Sequence, residues 1–314
     1  MPMSDRLPPK HELGEWTLYA ISDGLYRLDG GAMFGTIPKV MWDKVKPADE
    51  RNRIDMCLSC LLAVRGDDKV LIEAGIGNKN PEKFEFIYGV DHITSIDEEL
   101  ARIGFTAKDI THVILSHLHF DHCGSLTIID KKGHLHPHFP NAIHYVHEIE
   151  WETALNPNLR NRASYIKSDW IPVRDAGLFD VFYKTDMFEV VPGISTELIG
   201  GHTPGEILIH IEPEEADRKA VFVGDLIPTG AHVPVPWIMG YDLDPLAQIE
   251  LKQNLLSHWA KDRTLIVFPH ETRYPWAYVK VDDKGNFQAA PLDEGWLEPL
   301  RTVKWPELPL KHRK

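Results

Sequence analysis

The six residues His117-Leu118-His119-Phe120-Asp121-His122 constrain this chain more than any other stretch, because four side chains able to ligate a metal crowd together directly after the apolar run 111–116. Packing does not ask for such crowding. Imidazole nitrogens and carboxylate oxygens are the donors that zinc and similar divalent ions take. Residues two apart diverge on a helix but share a side on an extended segment. The spacing of His117 and His119 therefore predicts a strand over 111–116 that delivers its ligands at its C-terminal end. The short element after it is expected to open near Gly124-Ser125.

Three further donors stand at the ends of apolar runs. His202 follows 196–201 and precedes Thr203-Pro204-Gly205, Asp225 closes 220–224, and His270 follows 264–268 and Pro269. In layered α/β folds ligand groups gather at strand ends and the loops leaving them, so four strand termini are expected to build one site.

The runs SHLHFDHCG, GGHTPG, VFVGD and FPHE together resemble the metallo-β-lactamase superfamily over roughly residues 15–290. That resemblance implies an α/β fold, a four-layer αββα sandwich of two facing mixed sheets with outer helices. It also implies that His117, His119 and His202 hold one metal, that Asp121, His122 and His270 hold a second, and that Asp225 bridges both. The implied cofactor is a pair of divalent ions, zinc first, with iron, manganese or cobalt as alternatives.

Within the superfamily, the stretch 224–245 and the long segment 134–195 resemble the quorum-quenching N-acyl-homoserine-lactonase-like branch, which also includes organophosphate and ester hydrolases. Small lactonases of that branch carry a Tyr three residues beyond the bridging Asp. Here Pro228 stands there, so the phenol that would steady the lactone oxygen is missing from that position. The superfamily also usually shows Asp where this chain has Glu73, and one extra methylene alters how that carboxylate braces a ligand histidine. His232, Trp237, Met239 and Tyr241 follow Asp225 closely and are candidates to face the metals and the substrate. Core packing explains the Trp and Met equally well. Tyr241 is the candidate for a replacement phenol.

At 314 residues the chain is long enough for a substantial core, and no Gly/Ser or Pro-rich linker divides it. Donors from both halves require the halves to pack together. The expectation is one domain, 1–314, with an N-terminal extension 1–13 that crosses to a neighbouring subunit, an insertion 134–195 and a surface-docked tail 296–314. Lys plus Arg total 34 against 47 Asp plus Glu, a formal charge of −13, which argues against nucleic-acid partners. The N-terminus lacks an apolar signal region and no stretch reaches membrane-spanning length, so a cytoplasmic protein without a membrane partner is expected. The resemblance to dimeric lactonases implies a homodimer.

Cys57 and Cys60 are three apart in the strand-like run 56–64, point to opposite faces and read as packing thiols; Cys123 reads as a packing or a pocket-lining thiol. His134, His136 and His138 alternate, but Pro137 and Pro140 interrupt them and no carboxylate is expected to join, so they read as a solvated loop, with adventitious metal binding as the alternative. Strands are predicted over 16–21, 25–28, 56–64, 69–72, 196–199, 206–211, 220–224 and 264–268. Helices are predicted from the capping box Ser95-Ile96-Asp97-Glu98 through Arg102, and over 245–261.

The expected function is a dimetal-dependent hydrolase attacking a small neutral ester, a lactone first, through a metal-bridging hydroxide that Asp121 orients and whose proton it returns. A phosphotriester or thioester hydrolase is the alternative within the same chemistry. An iron-dependent redox enzyme is the alternative from another class, although flavin-linked di-iron members carry Glu where His119 stands.

Overall fold

A computed structural model describes residues 6–183, 187–214, 216–292 and 295–296. The first part of the chain supplies strands β1 (Lys10–Leu13), β2 (Trp16–Asp29), β3 (Arg53–Arg65), β4 (Asp68–Ile72), β5 (His112–Ile114), β6 (Thr127–Ile129), β7 (Leu135–Pro137), β8 (Ile143–His147) and β9 (Phe179–Phe182). The second supplies β10 (Phe188–Val191), β11 (Ile194–Leu198), β12 (Ile207–Ile211), β13 (Ala220–Phe222), β14 (Leu265–Val267), β15 (Trp276–Val281) and β16 (Phe287–Pro291). One sheet runs β1-β2-β3-β4-β5-β8-β9, the other follows chain order from β10 to β16, and β6 pairs with β7 in a hairpin. Strands β4, β5, β8 and β9 are mutually parallel, as are β13 and β14.

Burial divides into layers. Leu18, Ile72 and Ile114 of the first sheet share one cluster with Ile209, Phe222 and Val267 of the second, so the main core lies between the sheets. Leu71 and Val113 face the other way, onto Leu100 of the helix Ile96–Arg102 and onto Trp170 and Val173. Val221 and Ile266 likewise meet Leu256 and Trp259 of the helix Pro245–Asp262. The result is the expected αββα sandwich. Cys57 belongs to the central cluster and Cys60 to the outer one, the opposite faces their spacing predicts, and Cys123 packs in the outer cluster.

Several local expectations change. The runs 16–21 and 25–28 form one strand, β2, across a bulge between Ser22 and Leu25. There Asp23 turns inward and accepts from Ile76 N at 3.0 Å, Gly77 N at 2.8 Å and Ser125 Oγ at 2.7 Å. A further single turn, Phe120–Cys123, opens inside the ligand motif, because His122 N and Cys123 N both donate to His119 O, and the short turn expected near Gly124 follows it as Gly124–Leu126. The segment 134–195 is no peripheral insertion, since β8 and β9 continue the first sheet and β10 begins the second. In the extension 1–13, β1 pairs with β2 of its own chain. Of the tail, Trp296 is buried in the central cluster and 297–314 lie outside the described residues, as do 1–5. No helix among the described residues is long and apolar enough to cross a membrane.

The histidine trio divides. A carboxylate does join His134 and His136, since Asp130, four residues upstream, stands 3.1 Å from His136 Nε2 on the exposed hairpin. His138 is buried, with Ser125 O and Asp97 Oδ1 at its two nitrogens.

Candidate metal centre

All seven expected donors gather at one end of the sandwich. His117 and His119 leave β5 in extended backbone, while Asp121 and His122 lie on the single turn Phe120–Cys123. His202 sits in the connection from β11 to β12, Asp225 on the turn Gly224–Leu226 after β13, and His270 after β14. Two glycines permit the approach. A Cβ at Gly124 would fall 2.2 Å from Ile76 O, and Gly224, with φ +51, would bring one to 2.9 Å from Glu206 Oε1.

The inner atoms face one another. His117 Nε2 and His202 Nε2 each stand 3.1 Å from His119 Nδ1, and His122 Nε2 stands 3.2 Å from His270 Nε2. Asp225 lies between the two groups, with Oδ2 3.3 Å from His202 Nε2 and Oδ1 3.2 Å from His270 Nε2 and 3.5 Å from His122 Nε2. Three imidazole nitrogens converging on one point cannot satisfy each other by hydrogen bonds, since each contact needs one donor and one acceptor. Donors held at the zinc–nitrogen distance around a tetrahedral ion stand about 3.3 Å apart. The arrangement fits metal.

The outer atoms are braced. His270 Nδ1 stands 2.8 Å from Cys57 O, His117 Nδ1 3.0 Å from Ser116 Oγ, and His202 Nδ1 3.0 Å from Asp242 Oδ1. Glu73 stands beside the same group, with Oε2 3.2 Å from His122 Nδ1 while Oε1 accepts from Ser116 N. Its backbone has φ +68, a conformation that costs a non-glycine residue about 1–3 kcal/mol.

Burial and neighbouring histidines hold His117 and His119 well below the usual imidazole range, in the neutral form that has a lone pair to give. His122 and His202 go the other way. Burial works to lower both, but Asp225 with Asp121 and Glu73 lifts His122, and Asp225 with Asp242 lifts His202 to about 9. Asp225 lies well below the carboxylate range, because His122, His202 and His270 outweigh its burial. A field that favours positive charge here also favours a cation.

A cavity of about 220 Å³ opens onto these groups. Tyr26, Leu28, Met33, Phe120 and Met239 line it, and Tyr241 stands at its mouth. Two of the four substrate candidates therefore reach it. His232 does not: it is buried, stacked 4.5 Å from Phe34, with Nε2 on Met33 O and Nδ1 on Thr229 Oγ1. Trp237 packs edge-on against the same Phe34 and is also absent from the lining.

Tyr26 brings a second phenol to the cavity that Tyr241 also lines. Its hydroxyl donates to Asp121 Oδ2 at 2.6 Å, whereas Tyr241 is 40% exposed. Nothing in the run 16–29 marks Tyr26 as more than a strand residue. Glu150 was also missed; it accepts from Leu118 N at 2.9 Å, Tyr165 OH at 2.9 Å and Thr203 Oγ1 at 2.6 Å, tying the motif loop to the His202 loop. A lone Glu in a helix carries no signal for that role.

Two facing mixed sheets with a cluster of His and Asp donors at one end define a known class of fold, and residues 55–270, spanning all seven donors, match the family described as the metallo-beta-lactamase superfamily. The chain belongs to that superfamily. N-acyl homoserine lactonase AiiA of Bacillus thuringiensis subsp. kurstaki is 32% identical over 126 residues, 40% of this chain and 41% of that protein, so the match spans about two fifths of this curated relative. A probable metal-dependent hydrolase from Staphylococcus aureus superposes with a TM-score of 0.81 at 35% identity, covering 91% of this chain and 99% of that one. The dizinc quorum-quenching lactonase AidC shares the fold with a TM-score of 0.73 at 22% identity, covering 91% of this chain and 98% of that one.

Proposed function

We propose that this protein is a metal-dependent hydrolase of a small neutral ester, with a lactone as the leading substrate. In this reading His117, His119 and His202 would hold one divalent ion and Asp121, His122 and His270 a second, with Asp225 placed to serve both and zinc the first candidate. The observation that carries it is the convergence of seven donors from four strand ends on a largely apolar cavity. The lactonase relative supports the lactone.

When bound, the ions supply Lewis acidity, which brings the pKa of water down to about 7 and polarises an ester carbonyl. The side chains do the rest. Asp121, steadied by Tyr26, is positioned to take the proton of the attacking water and to return it to the departing alkoxide as the ester C–O bond breaks. Leu28, Met33, Phe120 and Met239 exclude water from the acyl part of the substrate. The products are a carboxylate and an alcohol, joined in one molecule when the ester is a lactone.

The cluster shared by both sheets supports reading the chain as one domain, and three buried free thiols suit the reducing cytoplasm. The homodimer rests on the resemblance and is checked by light scattering. The test of function is a panel of lactones, thioesters and phosphotriesters, the highest kcat/KM naming the class. His119→Ala and Asp225→Ala are expected to abolish turnover and lower bound metal; full turnover in the metal-depleted double variant would refute the reading.

A further inference from the structure

One turn of loop carries a separate set of polar groups to the cavity. Arg160, Asn161 and Ser164 line it, and the loop is fastened beside the metal centre by Phe120 N–H, which donates to Ser164 O at 2.9 Å from the position between His119 and Asp121. Arg160 is already engaged, its guanidinium donating to Gly240 O and Asp242 O across the mouth. The backbone of Asn161 is engaged as well, donating to Asn158 Oδ1 at 3.1 Å and accepting from Ser164 N at 2.9 Å.

Its side chain is not. Asn161 is 6% exposed, yet neither Nδ2 nor Oδ1 has a hydrogen-bond partner. Buried polar groups are nearly always paired, and an apolar residue of the same shape would avoid the cost of leaving this one unpaired. A carboxamide offers two donors and an acceptor in one plane, which complements another amide. Leu28, Met33, Phe120 and Met239 elsewhere in the cavity offer no such pairing.

We propose, resting on the hydrolase reading above, that Asn161 is a specificity-determining residue whose carboxamide binds an amide carried by the substrate beside the scissile ester. Nδ2 donates to the amide carbonyl, or Oδ1 accepts from the amide N–H. A site built to hydrogen-bond a group discriminates against the analogue lacking it, because its own polar atoms are then left unpaired.

The experiment compares metal-loaded wild type and Asn161→Leu on two lactones of equal ring and chain length, one bearing an N-acyl amide and one with that amide replaced by methylenes. The wild type is expected to prefer the amide compound, and the preference in kcat/KM is expected to fall about tenfold in the variant, mostly through KM. The melting temperature of the variant is expected to be no lower than that of the wild type. Asn161→Ala replaces it if the leucine variant fails to fold. Equal loss on both lactones, or loss on neither, overturns the subsite while the hydrolase reading stands. Wild-type inactivity on both overturns that reading and the subsite with it.

Discussion

Tyr26 shows how a site residue escapes sequence reading. The seven donors were legible because four are packed into six positions and the others close apolar runs, a pattern that surface chemistry does not produce. Tyr26 meets Asp121 across 95 positions of chain, so its role exists only after β2 has folded over the motif loop. Burial, with Asp121 and Asp225 nearby, pushes its hydroxyl well above the usual phenol range and keeps it a donor. Tyr26→Phe should therefore lower kcat about tenfold while leaving the metal content intact, as a hydrogen bond to a charged group is worth about 1.5–3 kcal/mol. Kinetics alongside elemental analysis separates this from loss of the ions. His232 illustrates the opposite case: proximity to Asp225 in sequence suggested a site role, but burial holds its pKa down to about 3 and its nitrogens are spent on the neighbouring backbone and Thr229.

At the scale of elements, strong signals were those with local causes. The helix Ile96–Arg102 starts at its capping serine, and Pro245–Asp262 starts at Asp244, whose side chain accepts from Ala247 N. Short strands such as β8 and β9 were illegible, because their parallel partners lie far away in the chain and their segments lack a clean alternation. The helix Pro245–Asp262 also carries a fully buried Lys252, whose ammonium donates to His232 O, Trp237 O and Pro234 O at 2.6, 2.8 and 3.2 Å. Burial pulls its pKa down to about 7, while the three carbonyls call for a full set of donors. Lys252→Met takes the donor from His232 O and Trp237 O, while Pro234 O keeps the N–H of Trp237, and should cost about 3 kcal/mol in denaturant unfolding. A raised KM is expected with it, since the same segment leads to Met239 in the cavity wall.

His138 directly follows the hairpin of β6 and β7. Burial works to lower the pKa of His138, but the hydrogen bond and charge of Asp97 outweigh it and the net shift is upward. A folded value above the unfolded one of about 6.5 means that the stabilisation is complete below about pH 6.5 and disappears as pH rises through the folded value. The difference in melting temperature between wild type and His138→Asn should accordingly be larger at about pH 6 than at about pH 9.

For the whole molecule, the donors are shared between sheets: four follow β5 in the first, and three follow β11, β13 and β14 in the second. An ion bound by both binds only the folded arrangement. Chelation should lower the melting temperature and reloading restore it, with about 2.7 kcal/mol at stake when free metal is a hundredfold above Kd. Calorimetry with and without chelator measures this, and an unchanged transition would overturn the holding of ions by the folded arrangement. The layering itself was readable in outline from apolar runs and the family resemblance. Edge strands such as β1 were not, because Lys10-His11-Glu12-Leu13 has neither the length nor the apolar content of the interior strands.

Among the described residues no strand is exchanged between the two sheets: those up to Phe182 belong to the first and those from Phe188 to the second. A single nick between Phe182 and Phe188 would turn the protein into two fragments, each with a complete sheet and only part of the ligand set. Their reassociation would become a bimolecular event that the ions themselves help to drive.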